Sequence, residues 1–235
     1  MSSSHSKRFA AGPPPLPAKA NKPILCYVTD RQALSGDKSM PALLGKIRAA
    51  MAAGADWVQI REKDLATSAL LGLAREAVAE RSARVIINDR LDLAIAAGAA
   101  GVHLGHASIA PREAVEWCRR GNAPSDFLIG VSCHDRNGAI EAESAGASYT
   151  YFGPIYETPS KIPFGKPHGV GELAEVVRAV RIPVIAIGGV NEANARECIR
   201  AGAAGIAAIR MIQDAPDFAA LKMAVDAIHR SYDGV

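Results

Sequence analysis

Two basic side chains follow a short apolar run in this sequence, at a spacing that suits binding of a phosphorylated ligand. Arg61 and Lys63 come directly after Trp57–Ile60, so both can point in one direction if that run is a strand. A guanidinium binds a diphosphate as a fork, and an ammonium binds it as a point charge. An ion pair with Glu62 or Asp89 at the end of the strand is the alternative use of these cations.

Two amides and a pair of glycines lie within or directly after apolar runs. Gln59 and Asn88 could hydrogen-bond a heteroaromatic ring, or they could be buried amides that satisfy backbone groups. Gly188 and Gly189 follow an apolar run and precede a helical pattern that starts at Asn191. Because backbone N–H groups at a helix N-terminus bind phosphate, the glycine pair predicts a phosphate site.

A recurring unit supplies the elements that must position these residues. An alanine-rich helical segment leads into a small-Gly-small turn, and a short aliphatic run follows. Glycine suits the position after a helix because the left-handed backbone conformation strains other residues. The unit occurs four times, around Gly54, Gly98, Gly146 and Gly202.

Eight short apolar runs have the composition of strands that are buried on both faces. They are Ile24–Val28, Trp57–Ile60, Arg84–Ile87, Gly101–Leu104, Phe127–Val131, Tyr149–Phe152, Pro183–Ile187 and Gly205–Ile209. Helical patterns separate most of them, at Ala42–Ala53, Ser68–Arg81, Pro111–Arg119, Gly171–Ala179 and Asn191–Ala201.

This alternation predicts an α/β protein with a closed (β/α)₈ fold, a TIM barrel. A doubly wound open sheet is the alternative, but its glycine-rich dinucleotide turn is missing after the first run. In a barrel, the active site is built at the carboxyl ends of the strands, which is where the polar residues stand.

The charge distribution argues against a nucleic-acid partner. Four of the 27 basic residues and none of the 24 acidic ones lie in residues 1–22. The rest of the chain therefore carries 23 basic against 24 acidic residues and has no general polyanion footprint. The longest apolar runs are far shorter than a membrane span, which predicts a protein without a membrane partner. Four widely spaced cysteines suit a reducing cytoplasm.

The two parts of the chain differ in composition. Residues 1–22 are rich in serine and then proline, which predicts a disordered N-terminal tail that buries no core. Residues 23–235 form the predicted barrel domain. The sequence leaves the oligomeric state open.

Five strings, each at a predicted strand end, resemble thiamine phosphate synthases and their relatives, the TenI-type thiazole tautomerases. Their order and rough spacing match that family from about residue 24 to residue 229. The strings are Gln59–Lys63, Asn88–Arg90, Gly101–Gly105, Gly153–Lys161 and Ile187–Val190.

The resemblance implies ligand roles at the matching positions of this sequence. For Lys161, which matches a diphosphate contact, the alternative is that it is only an exposed lysine of a loop. The matches are Gln59, Arg61, Lys63 and Asn88 at ligand-binding positions, Ser132 and Lys161 at diphosphate contacts, and Thr158 and Ser160 at hydroxyls near a thiazole phosphate.

The resemblance also implies a magnesium site. Asp89 matches one of two aspartates that hold Mg²⁺ on the diphosphate, with an ion pair to Arg90 or Arg61 as the alternative. The second aspartate is expected a few residues after Gly105, where this sequence has Ser108. A hydroxyl is a weaker ligand than a carboxylate, so a weak Mg²⁺ site is expected.

Two further residues bear on which activity is present. Arg210 stands where synthases commonly have a serine that contacts the thiazole phosphate, and it could either strengthen or block that binding. His134 has two interpretations, as a support for the site or as the proton-transfer group of a tautomerase.

The resemblance implies small phosphorylated substrates and three candidate activities. The first is a thiamine phosphate synthase, which joins hydroxymethylpyrimidine diphosphate and thiazole phosphate to give thiamine phosphate and diphosphate. The second is a TenI-type thiazole tautomerase, and the third is a non-catalytic barrel that binds thiamin-pathway intermediates. The retained basic residues favour the synthase, because a tautomerase has no diphosphate to hold.

Overall fold

The computed structural model describes residues 22–158 and 166–231, in which eight parallel strands close into a barrel. Strand β1 pairs with β8 as well as with β2, so the sheet has no free edge. The predicted barrel is therefore confirmed, and the open-sheet alternative is wrong. The strands are β1 Ile24–Val28, β2 Trp57–Ile60, β3 Arg84–Asn88, β4 Gly101–Leu104, β5 Leu128–Cys133, β6 Tyr149–Phe152, β7 Val184–Ile187 and β8 Gly205–Ala208.

Helices alternate with the strands along the described chain. They are α1 Met40–Ala53, α2 Thr67–Ala79, α3 Leu91–Ala97, α4 Pro111–Trp117, α5 Arg136–Ala145, α6 Gly169–Ala179, α7 Ala195–Arg200, α8 Arg210–Gln213 and α9 Phe218–Arg230. Within the described ranges, no helix combines the length and apolarity needed to cross a membrane.

Several predicted boundaries differ from those of the structure, and two of the differences concern residues near the site. Helix α7 begins at Ala195 and not at Asn191, because Asn191 and Asn194 use their side-chain oxygens as acceptors for nearby backbone N–H groups. Such bonds compete with the helical ones. Strand β5 runs two residues further than predicted, so Ser132 lies on the strand and not after it.

The four glycines of the repeated unit adopt the left-handed conformation that the sequence predicts. Their φ angles are 107° at Gly54, 67° at Gly98, 90° at Gly146 and 97° at Gly202. The first three cap α1, α3 and α5, and the fourth follows the end of α7. Each helix therefore ends in the tight turn that returns the chain to the next strand.

Alternate strand residues fill two separate apolar layers. The larger layer lies between the sheet and the helices, and the smaller one fills the barrel interior around Trp57, Leu128 and Tyr149. Because side chains alternate along a strand, residues two positions beyond the interior layer face the carboxyl-end mouth of the barrel. Gln59, two positions beyond Trp57, is one of these residues.

The predicted tail lies outside the described residues except for its last member. The Nζ atom of Lys22 lies 2.7 Å from Oδ1 of Asp56, at the amino-terminal end of the barrel.

Candidate active site

The two cations after β2 are separated by a glutamate that points away from them. Both carboxylate oxygens of the buried Glu62 accept the backbone N–H of Arg31, at 3.1 and 3.0 Å. Burial raises the pKa of Glu62. The Arg61 N–H donates to Oγ1 of Thr29 at 2.9 Å, which ties the ends of β1 and β2 together. The structure therefore fixes the backbone from which Arg61 and Lys63 project.

Neither cation forms an ion pair within the described residues, so the alternative of a structural pair with Glu62 or Asp89 is wrong. Arg61 is half-buried and Lys63 is exposed. Two positive charges at a barrel mouth without an ion-pair partner in the described ranges are suited to hold an anionic ligand.

The two predicted amides bond to each other across neighbouring strands. Gln59 Nε2 donates to Asn88 Oδ1 at 2.8 Å, and Asn88 Nδ2 donates to Asp89 Oδ2 at 2.6 Å. The alternative in which these amides satisfy backbone groups is therefore wrong for the described contacts. Gln59 is only 2% exposed, and its Oε1 atom has no partner in the part of the chain that the structure describes. A buried acceptor without a partner is costly, which favours a ligand or water donor at this atom.

Asp89 meets the turn after β4 and does not pair with Arg90. Its Oδ1 atom accepts the Gly105 N–H at 3.2 Å and also the hydroxyl of Ser108. Arg90 instead pairs with Asp92, with 2.6 Å between Nη2 and Oδ2. The structure thus brings Ser108 into contact with Asp89, at the place where the second metal ligand was expected.

The described residues fit a magnesium site that substrate oxygens would complete. They contain no group of three or more histidine, cysteine, aspartate or glutamate side chains that could hold a metal alone. Asp89 offers one carboxylate, and Ser108 offers one hydroxyl. Mg²⁺ is commonly held by one or two carboxylates together with substrate phosphates, so this donor set is sufficient only with a phosphorylated ligand.

Ser132 is anchored from inside the barrel by a histidine on the neighbouring strand β4. Nε2 of the buried His103 lies 2.8 Å from Oγ of Ser132. Burial lowers the pKa of His103 to about 3, so the ring is neutral at physiological pH.

The glycines after β7 have a structural cause besides any contact with phosphate. Gly188 and Gly189 have φ angles of 93° and 69°. A Cβ atom on Gly188 would lie 2.6 Å from Cα of Pro154, and one on Gly189 would lie 2.6 Å from the carbonyl oxygen of Glu157. The glycines therefore admit the loop that follows β6, and Tyr156 N–H donates to the Gly188 carbonyl at 2.9 Å. Their phosphate-binding role stays a prediction.

His134 lies apart from the interior-facing group. It is exposed, and its Nδ1 atom lies 2.6 Å from the carbonyl oxygen of Gly153. It lines a cavity of about 210 Å³ together with Phe152, His168 and residues of α6. Among the described contacts, its ring has no hydrogen bond to Ser132.

The other predicted site residues are described only in part. Arg210 is the exposed first residue of α8, two positions after the end of β8. Thr158 is the last described residue before the gap. Ser160 and Lys161 lie outside the described residues, so their roles stay predictions.

The sequence does not predict the supporting roles of two residues near the site. Glu62 is predicted only as a possible ion-pair partner of the cations, although strand alternation places it on the face opposite Arg61 and Lys63. Tyr156 anchors the loop after β6 by donating its hydroxyl to Glu197 at 2.8 Å. No local signal in the sequence indicates that contact, since the partners are 41 residues apart.

The closed parallel barrel defines the class of (β/α)₈-barrel proteins. The carboxyl ends of its strands carry amides, a carboxylate and two cations that have no ion pair among the described residues. Residues 25–212 match the family model described as thiamine monophosphate synthase. The chain belongs to the thiamine monophosphate synthase family.

Relatives and a solved structure agree with this membership. A protein from Geobacter sulfurreducens, named provisionally as a thiamine-phosphate synthase, is 45% identical over 196 residues, which cover 82% of this chain and 88% of the relative. The thiamine-phosphate synthase of a Roseiflexus species is 40% identical over 221 residues, covering 91% and 88%. The structure of thiamine phosphate pyrophosphorylase from Pyrococcus furiosus is 30% identical, with a TM-score of 0.75 and coverage of 91% and 96%.

Proposed function

We propose that this protein is a thiamine-phosphate synthase, which joins hydroxymethylpyrimidine diphosphate to thiazole phosphate. The observation that carries the proposal is the pair of cations after β2, which have no ion pair among the described residues. A diphosphate leaving group needs such charges, whereas isomerisation of a thiazole does not. The names of relatives that are 40–45% identical over most of the chain support the same activity.

In the proposed reaction, the bond between the pyrimidine methylene carbon and the diphosphate oxygen breaks with its electron pair on oxygen. The thiazole nitrogen then donates its lone pair to the pyrimidinylmethyl cation, which forms the new C–N bond. Arg61, Lys63 and Ser132 stabilise the negative charge that develops on the departing diphosphate. Lys161 joins them by its match to the family pattern.

The remaining residues orient the two reactants. Gln59 and Asn88 hydrogen-bond the pyrimidine ring, and the unpartnered Oε1 of Gln59 is available to an amino group. The thiazole phosphate is held by Gly188, Gly189, Thr158 and Ser160, and Arg210, exposed at the start of α8, is a further contact for it. Both reacting groups then meet at the mouth in a fixed orientation, which lowers the entropic part of the barrier.

Asp89 and Ser108 would hold Mg²⁺ together with the diphosphate oxygens. When bound, the ion supplies positive charge to the leaving group. Asp89 is held for this role by Asn88 and by the Gly105 N–H.

The proposed function predicts that the purified protein forms thiamine phosphate from both substrates in the presence of Mg²⁺. The measurement is product formation with each substrate omitted in turn, with and without Mg²⁺. Thiazole isomerisation that depends on His134, without thiamine phosphate, would replace the synthase by a tautomerase. Tight binding of thiamine phosphate without any turnover would instead identify a non-catalytic binding protein.

A second prediction concerns the metal requirement. Ser108→Asp should lower the Mg²⁺ concentration for half-maximal rate, because it returns a negative ligand to a position in contact with Asp89. The measurement is a Mg²⁺ titration of thiamine phosphate formation by both proteins. Ser108→Asn is the matched control, since asparagine has nearly the same size as aspartate but carries no charge. An unmoved titration curve for Ser108→Asp would remove position 108 from the metal site.

A further inference from the structure

A line of polar groups crosses the interior of the barrel and ends at Ser132. Tyr151 donates its hydroxyl to Sγ of Cys26 at 3.0 Å, near the centre of the barrel. The hydroxyl of Tyr149 lies 3.2 Å from Nδ1 of His103, and Nε2 of the same ring lies 2.8 Å from Oγ of Ser132. Polar groups among apolar neighbours are costly unless each of them is hydrogen-bonded, so a connected set of this kind points to a specific role.

The barrel is built to hold the His103 ring in one orientation. The Tyr151 ring packs against it with 4.0 Å between centroids. On the neighbouring strand, Gly130 leaves the space for the Tyr149 contact, since a Cβ atom there would lie 2.4 Å from the Tyr149 hydroxyl and 2.6 Å from Nδ1 of His103. The ring is also 2% exposed, so water does not compete for its nitrogens.

The two hydrogen bonds of this ring are coupled through its single proton. A neutral imidazole donates from one nitrogen and accepts at the other. The Tyr149 phenol is buried and stays protonated, and a phenol is a good donor to an imidazole nitrogen. Nδ1 then accepts, Nε2 carries the proton, and Nε2 donates to Ser132. The Ser132 hydroxyl therefore has its own proton left to donate elsewhere.

We propose that His103 is a positioning residue that occupies one lone pair of Ser132 and so directs the Ser132 proton to an anionic oxygen at the barrel mouth. Tyr149 sets the tautomer, and Gly130 provides the room. The kinetic part of this inference rests on the proposed synthase function, in which Ser132 contacts the diphosphate.

A double-mutant cycle tests whether His103 acts through Ser132. His103→Asn lacks a donor at the Nε2 position, and we expect it and Ser132→Ala each to lower kcat by about tenfold or more. The double variant should be no slower than Ser132→Ala alone, because the two changes remove one contact. His103→Gln places an amide N–H near the lost Nε2 position and should recover most of the rate. Independent losses that multiply in the double variant would overturn the inference.

A control variant at another buried residue distinguishes a positioning role of His103 from a general loss of stability. Thr150 donates its hydroxyl to the Val131 carbonyl at 2.8 Å, on the helix-facing side of the same sheet. Thr150→Val should lower the midpoint of urea unfolding without changing kcat per folded molecule. If kcat in His103→Asn merely follows the folded fraction, as it would for a packing residue, the inference fails.

The tautomer gives a readout that does not depend on the reaction. In ¹⁵N-labelled protein, the His103 ring should show a proton on Nε2 and not on Nδ1, and the Nε2 resonance should move in Ser132→Ala. A proton on Nδ1 would overturn the inference. The protein could carry the proton on Nε2 and still form no thiamine phosphate, in which case the proposed function fails. The positioning of Ser132 by His103 is then tested by the binding of inorganic diphosphate. His103→Asn should then weaken diphosphate binding in the wild-type background and leave it unchanged in Ser132→Ala, and any other result overturns the inference.

Discussion

Replacing Arg61 with alanine should lower kcat/KM for thiamine phosphate formation by about 10²-fold or more, as for other preorganised charge stabilisers. The free energy of unfolding should stay nearly unchanged, because the Arg61 side chain has no ion pair among the described residues and only its backbone N–H bonds Thr29. The measurements are steady-state kinetics at saturating Mg²⁺ and unfolding by urea.

The matched control for this variant is Arg84→Ala. Arg84 begins β3 and is exposed at the opposite, amino-terminal end of the barrel, so its loss changes the net charge equally without touching the mouth. Normal kinetics are expected for the control. If Arg61→Ala unfolds readily but keeps normal activity per folded molecule, Arg61 is a structural residue and its proposed role is wrong.

Asp89→Asn should also lower the rate by about 10²-fold or more at a fixed Mg²⁺ concentration, and it should raise the Mg²⁺ requirement. Asparagine is the suitable replacement because Asp89 has a φ angle of 62°, a left-handed conformation that asparagine tolerates. The change removes the anionic ligand while keeping an oxygen for the Gly105 N–H. The measurement is a Mg²⁺ titration of the initial rate, with the unfolding midpoint recorded in parallel.

Asp92→Asn is the control for Asp89→Asn. Asp92 lies three residues further along, is exposed and pairs with Arg90, so it shares the charge and the neighbourhood but not the mouth. Its Mg²⁺ titration should match that of the wild type. An equal response of the two variants would mean that Asp89 acts only through the overall electrostatic field, and its assignment as a metal ligand would be wrong.

The sequence predicted the barrel because its signals are local. Each strand is a short apolar run, and the glycine after α1, α3, α5 or α7 marks a turn whose φ angle few other residues adopt. Helix α7 shows where local signals mislead, because the asparagines at 191 and 194 bond the backbone through their side chains and delay the helix.

The contacts that define the site are not local. The sequence could indicate which residues belong to the site, but not which of them contact each other. Gln59 and Asn88 are 29 residues apart, and Asp89 and Ser108 are 19 apart, so only closure of the barrel joins them. Strand alternation could have indicated that Glu62 faces away from Arg61. Strand alternation does place His103 inside the barrel, but the bond between His103 and Ser132 depends on the register between β4 and β5.

The close contact between the loops after β6 and β7 restricts how this barrel can acquire new ligand specificity. Any side chain at Gly188 would combine a strained backbone at φ 93° with a clash against Pro154, so variation there requires simultaneous change in the facing loop. Arg210 carries no such constraint, because it is exposed at the start of α8. Substitutions, natural or engineered, should therefore be tolerated better at position 210 than at the two glycines. A change of specificity at the phosphate end of the ligand is expected to come from position 210, after β8.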